Sequence, residues 1–232
     1  MRLFFRCILQ KESKHQVEAH SLQNFLQEMP LNRLHRASRV AFFLCDVQSK
    51  FAPHIYQYAP MKAIAAKMIT ASNILNVPLV VTEHMRDKLG STDPDLNITK
   101  AAILLPKSTF SMLTPQVEDA ARKLYASKGI DHVILFGIES QVCVLQTALD
   151  LLSKGIGVTV LQDGVSSINP GEIPIALARM RQAGAHISTS ESVLFQIMQD
   201  ASHPGFKQIQ QLLKDSKKDT TEALNAFSSV KL

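Results

Sequence analysis

The sequence predicts an α/β protein: a three-layer α/β/α domain with a six-stranded parallel sheet and helices on both faces. Two observations lead there. From Val40 onward, short apolar runs alternate with amphipathic helical stretches, and such alternation implies a parallel sheet with helices on both faces. The first run, Val40-Ala41-Phe42-Phe43-Leu44-Cys45, is continuously apolar, as a strand buried on both faces must be.

The elements follow in order. The first strand covers 40–45 and ends at Asp46. A helix over 61–75, introduced by Pro60, places Ile64, Met68, Ile69 and Leu75 at helical spacing. A second strand over 77–82 carries Pro78 at its start, where a lost donor is tolerated. Residues 84–102 are polar and contain Gly90, Asp93, Pro94 and Asn97, so they read as a long loop, and loops this long inside a domain are usually functional. The third strand is 103–105, ending at Pro106-Lys107. Thr114-Pro115 opens a helix to about 127, with proline at the favoured first position. The fourth strand is 132–136, and the helix after it, 141–154, closes at Gly155. The fifth strand is 158–161, ending at Asp163. A helix over 172–182 precedes Gly184, and the sixth strand is 186–189. Ser190 is expected to cap a helix over 191–199, and a last helix runs from about 204 to 214. These elements divide the chain into a basic N-terminal extension (1–37), a domain (38–214) and a flexible, frayed tail (215–232).

Composition narrows the class. Of 232 residues, 46% are hydrophobic and 19% charged, as in soluble globular proteins. Cys7, Cys45 and Cys143 are too scattered for a disulfide framework or a cysteine zinc site, which fits a reducing compartment. The net charge of +5 is uneven: residues 1–39 carry +4 and the rest +1. A near-neutral domain argues against nucleic acid as partner. No apolar run reaches ~18 residues, so no helical span is expected. The leader bears arginines as mitochondrial presequences do, but its three glutamates weaken that reading. A cytoplasmic protein is expected, or a mitochondrial one if residues 1–39 are a presequence.

The chemistry gathers at strand ends. Right-handed crossovers bring the carboxyl ends of parallel strands to one edge, where open α/β sheets bind ligands. Asp46, Lys107 and Cys143 all fall just past such ends. A thiol in the first turn of a helix meets the positive end of the helix dipole and free N–H groups, which favour thiolate. Asp46 could move the thiol proton, and Lys107 could hold both anions. The alternatives are a buried inert cysteine, a strand-terminating aspartate and a solvated lysine. Cys45 precedes Asp46, so strand alternation points it to the opposite face. That leaves Cys143 without a resolving thiol and disfavours a redox-sensing role.

Three segments carry a resemblance: Leu44-Cys45-Asp46-Val47-Gln48-Ser49-Lys50-Phe51, Pro106-Lys107-Ser108-Thr109-Phe110-Ser111, and Gly137-Ile138-Glu139-Ser140-Gln141-Val142-Cys143-Val144 continuing to Asp150. Together they resemble the signatures of the isochorismatase-like cysteine hydrolases. The stretches 178–185 and 188–191 are similar to the animal isochorismatase domain-containing proteins. The resemblance spans roughly 38–214. It implies an Asp46–Lys107–Cys143 triad, thiolate attack on a carbonyl and a thioester intermediate. It also implies a cis peptide between Ile138 and Glu139, with the N–H groups of Glu139 and Cys143 forming an oxyanion hole. Gln48, Phe51, Phe110 and Ile138 fall where relatives line the pocket.

Nicotinamidases of this family bind a metal through an aspartate and histidines after the second strand. Glu83-His84-Met85-Arg86-Asp87 does not reproduce that pattern, so neither a metal, another cofactor nor nicotinamide is expected. His84 reads as a solvated loop histidine. Isochorismate is not expected either, because cleaving its vinyl ether needs acid catalysis rather than a thiol. The expected function is metal-independent hydrolysis of a small amide-like carbonyl compound, by a homo-oligomer (dimer or tetramer) as the resemblance implies. The alternative is a silent binding or scaffold protein that keeps the fold.

Overall fold

In the computed structural model, which describes residues 39–128 and 130–228, six strands form one sheet, all neighbours parallel. They are β1 (Val40–Cys45), β2 (Leu79–His84), β3 (Ile103–Lys107), β4 (His132–Ile138), β5 (Gly157–Ser166) and β6 (His186–Ser188). The spatial order is β3-β2-β1-β4-β5-β6. The chain therefore reverses direction between β1 and β4, and the carboxyl ends of those strands flank the switch point where such sheets bind ligands. β1 is buried along its whole length, as its unbroken apolar run demands. Phe42 packs edge-on to Phe136 across the β1–β4 pair, with ring centroids 6.3 Å apart.

The helices are α1 (Tyr58–Leu75), a single turn α2 (Arg86–Leu89), α3 (Pro115–Lys128), α4 (Leu145–Ser153), α5 (Glu172–Gln182), α6 (Ser190–Met198), α7 (Phe206–Asp215) and α8 (Lys217–Ser228). α1 packs with α6, α7 and α8, while α4 packs with α5. Right-handed crossovers put these two groups on opposite faces of the sheet. The three layers are those the sequence predicts.

Several elements differ from the expected bounds, and four of them have a clear local reason. β2 starts at Leu79 because Val77 still closes α1, its N–H donating to the Ser72 carbonyl after a left-handed Asn76. It consequently runs to His84, which is a strand residue. β3 includes Pro106, tolerated because β3 is an edge strand. β5 continues past Asp163 to Ser166 through a bulge, where its register to β4 shifts between Leu135 and Gly137. The Asp163 carboxylate accepts from the Ser190 N–H (2.9 Å) and hydroxyl, so the side chain that caps α6 on Ser192 is that of Thr189.

The largest correction is at the C-terminal end. Lys217–Ser228, read as a frayed tail, forms α8 and buries Thr220, Ala223 and Phe227. These sit at i, i+3 and i+7, one face of a helix. Phe227 lies edge-on to Tyr56, centroids 6.1 Å apart. The Lys67 ammonium on α1 donates to Thr220 Oγ1 at 2.8 Å. The N-terminal extension expected over 1–37 lies outside the described residues, as do 229–232. Among the described residues no helix is long and apolar enough to cross a membrane.

Candidate active site

Asp46 leaves β1 with φ 55°, a left-handed conformation that aspartate tolerates better than most residues. The turn buries its carboxylate at the switch point. Oδ1 accepts from Thr82 Oγ1 at 2.8 Å. Oδ2 meets the Lys107 ammonium at 2.5 Å and the Cys45 thiol at 3.6 Å. The expectation that Cys45 faces away is therefore corrected. Alternation holds only while the backbone stays extended, and the left-handed Asp46 swings its carboxylate back beside its neighbour.

Lys107, at the end of β3, lies between Asp46 and Cys143. Its Nζ donates to the carbonyls of Thr109 (3.1 Å) and Phe110 (2.8 Å), and it lies 3.8 Å from Cys143 Sγ. Burial opposes its charge, but Cys45, Asp46 and Cys143 outweigh that and hold the ammonium above the ordinary lysine value. Burial pushes the Cys45 thiol well up, reinforced by Cys143 and by the Asp46 charge. The site thus holds one cation, one carboxylate and two sulfurs in low-dielectric surroundings, where fixed charges act strongly.

Cys143 sits in one turn of π-helix, Ser140–Val144, that leads into α4. Such turns are frequent at functional sites. The regular helix expected from residue 141 begins at Leu145. The turn closes on the Glu139 carbonyl, which accepts from Val142 N–H (3.0 Å) and Val144 N–H (3.2 Å). Described peptide bonds are all trans, so the cis bond implied between Ile138 and Glu139 is not formed. The chain turns instead through a left-handed Glu139, φ 60°. Gly137 just before it has φ 137°, and a Cβ there would meet the Cys45 carbonyl oxygen at 2.2 Å, so β4 can approach β1 only with glycine at this point. Thr147 ties the turn to the lysine loop: its Oγ1 donates to the Cys143 carbonyl (2.6 Å) and accepts from the Met112 N–H (2.9 Å).

Two expected pocket residues are buried instead. Ile138 is in the core. Gln48 is fully buried, and its amide holds the following loop: Nε2 donates to the carbonyls of His84 and Gly90, and Oε1 accepts from the His84 N–H. Glu83 fastens the same loop, accepting from the Thr92 N–H (2.7 Å) and hydroxyl (2.9 Å) while pairing with Arg86 at 3.2 Å. Tyr58 donates to Asp93 at 2.9 Å; burial and this bond to Asp93 hold its phenol strongly up. The long loop 85–102 is thus tightly anchored.

Phe110 is 50% exposed and stacks on His84 with centroids 5.8 Å apart. Phe51 is half-buried against the core. His84 is no solvated loop residue: burial and then the nearby Lys107 charge lower its pKa, which keeps the ring neutral at pH 7. Among the described residues no three His, Cys, Asp or Glu side chains group as metal ligands. The Glu139 carboxylate is turned to the Gln141 amide (2.7 Å) and the Ile168 N–H (3.0 Å). Thr82, Cys45, His84 and Thr147 were missed as site residues. Only the strand-end position of Thr82 offered a signal, and it was no stronger than at any other strand end.

An isochorismatase domain model matches residues 40–192. The zebrafish (Danio rerio) isochorismatase domain-containing protein 1 is 39% identical over 175 residues, 75% of this chain and 61% of that protein. The chain thus spans about three-fifths of that relative's length. Isochorismatase domain-containing protein 2 of the same species is 42% identical over 188 residues, covering 80% of this chain and 91% of the relative. A Caenorhabditis elegans structure described as a MAR1 ribonuclease superposes with TM-score 0.73 at 37% identity, covering 78% of this chain and 93% of that one.

Proposed function

The chain belongs to the isochorismatase family, and from that premise we propose that it is a metal-independent hydrolase of small amide-like carbonyl compounds with Cys143 as nucleophile. One observation carries the reading: a buried lysine touches the Asp46 carboxylate and the Cys143 sulfur at once. An ammonium there stabilises thiolate. The thiolate attacks the carbonyl carbon, and the backbone N–H of Cys143 receives the developing oxyanion; with the Ile138–Glu139 peptide trans, Glu139 takes no part in this step. Asp46, which takes the thiol proton, returns it to the departing amine. It then draws a proton from the water that hydrolyses the thioester. Phe51 and Phe110 flank the acyl group.

The test is iodoacetamide labelling of each cysteine against pH, read by peptide mass spectrometry, beside turnover of an amide panel. Cys143 is expected to label fast well below pH 8, and Cys143→Ala is expected to abolish turnover while chelators leave it unchanged. Slow labelling near the ~8.5 of an ordinary thiol, without turnover, supports the silent binding protein instead. The name of the nematode neighbour favours a second reading, cleavage of RNA. The near-neutral charge of residues 40–232 opposes it, since nucleic-acid sites concentrate Lys and Arg. RNA degradation by the wild type that Cys143→Ala abolishes would favour it.

A further inference from the structure

The triad uses one sulfur, and a second lies beside it. Cys45 Sγ is 3.6 Å from Asp46 Oδ2; that oxygen is 2.5 Å from Lys107 Nζ, which is 3.8 Å from Cys143 Sγ. The two thiols lie on either side of one ion pair, Cys45 against its carboxylate and Cys143 against its ammonium, and Cys143 adds to the rise in the Cys45 pKa. Their exposure differs: Cys143 keeps 5% of its surface and Cys45 none. A small oxidant entering the site therefore meets Cys143 first. The proton on Cys45 is firmly held by burial, so Cys45 waits as a thiol while Cys143 reacts.

We propose that Cys45 and Cys143 form a dithiol oxidation site, in which a hydroperoxide oxidises Cys143 and Cys45 captures the product as a Cys45–Cys143 disulfide. The inference rests on the reading of Cys143 as an activated nucleophile. In the first step the Cys143 thiolate attacks the peroxide, an S–O bond forms, the O–O bond breaks, and hydroxide (from hydrogen peroxide) leaves. Sulfur is oxidised by two electrons to the sulfenic acid and the peroxide is reduced. In the second step Cys45 sulfur attacks Cys143 sulfur, the S–S bond forms and the S–O bond breaks. The Cys45 proton passes to Asp46, already in contact with it, and on to the departing oxygen as water. The disulfide removes the nucleophile reversibly and shields it from the irreversible sulfinic state.

The experiment uses the reduced full chain, titrated with hydrogen peroxide and digested without reductant for peptide mass spectrometry. Iodoacetamide labelling is followed before and after. In the wild type the expected product is a peptide pair joined through Cys45 and Cys143. Cys143 labelling is lost with it and returns on adding dithiothreitol. In Cys45→Ser no crosslink forms, Cys143 proceeds to sulfinic acid, and dithiothreitol restores nothing. If that variant does not fold, the wild-type crosslink decides alone. Sulfinic acid in the wild type without a crosslink, a disulfide through Cys7, or a Cys143 that labels fast yet resists peroxide each overturns the proposal and leaves the nucleophile standing. A Cys143 slow toward both reagents overturns both readings.

Discussion

Two lysines are buried in this domain, and the fold treats them in opposite ways. Lys107, at the switch point, lies against a carboxylate at 2.5 Å, and its neighbours hold its charge more firmly than water would. Lys67, on α1 under α8, has the Thr220 hydroxyl as its hydrogen-bond partner. Burial pulls its pKa down against the more distant charges of Asp163, Glu191 and Asp219. Desolvation opposes both ammonium groups, and a contacting anion decides the outcome. The first region maintains its charge against a contacting carboxylate. The second bears a charge that its surroundings disfavour, and gains a fastening for the last helix.

Removing each charge separates the two regions. Lys107→Met leaves Asp46 as an uncompensated buried carboxylate and should cost about 3–5 kcal/mol of unfolding free energy. It should also slow Cys143 alkylation to that of an ordinary thiol. Urea denaturation and the labelling pH profile check the two effects, and a variant of unchanged stability would break the comparison. Thr82→Val removes the donor on Asp46 Oδ1 and should cost about 1.5–3 kcal/mol, read from the same urea midpoints, with Cys143 labelling still retained.

Lys67→Met is expected to lie within about 1 kcal/mol of the wild type at pH 7, because replacing a poorly paired buried charge by an apolar chain is often neutral or stabilising. Its pH dependence is the sharper readout. The unfolded lysine titrates near 10.5, and the folded Lys67 below it. Between those values the unfolded chain binds the proton better, so the wild type should gain stability relative to Lys67→Met as pH rises through that window. For Lys107 the folded value lies above 10.5. Its contribution is complete below 10.5 and is lost as pH rises through the folded value. Urea midpoints of wild type and Lys67→Met at pH 7 and pH 10 test this. A gap that moves the other way would mean that Lys67 is held as firmly as Lys107.

Much of the fold was legible from residues alone. The apolar run 40–45 could only be a doubly buried strand, and the strand ends after it marked Asp46, Lys107 and Cys143 before any coordinates. Three misreadings share a cause. Cys45 was assigned to the wrong face because alternation presumes extended backbone, and Asp46 is left-handed. Gln48 was assigned to the pocket, yet its amide partners, His84 and Gly90, lie 36 and 42 residues away. The end of the chain was read as frayed because three buried positions in a polar stretch form a face only when α1 and β5 are there to receive them.

The sequence by itself determined the α/β/α class, the six strands and the three strand-end residues, because hydrophobic periodicity and turn residues are local properties of the chain. Tertiary structure alone decided that Lys107 crosses from an edge strand to the switch point, that a second sulfur joins the first, and that one buried lysine keeps its charge more firmly than the other. Those outcomes depend on which groups meet after folding, and contact at 2.5–3.8 Å between residues far apart in the chain is not encoded in the spacing of any one of them.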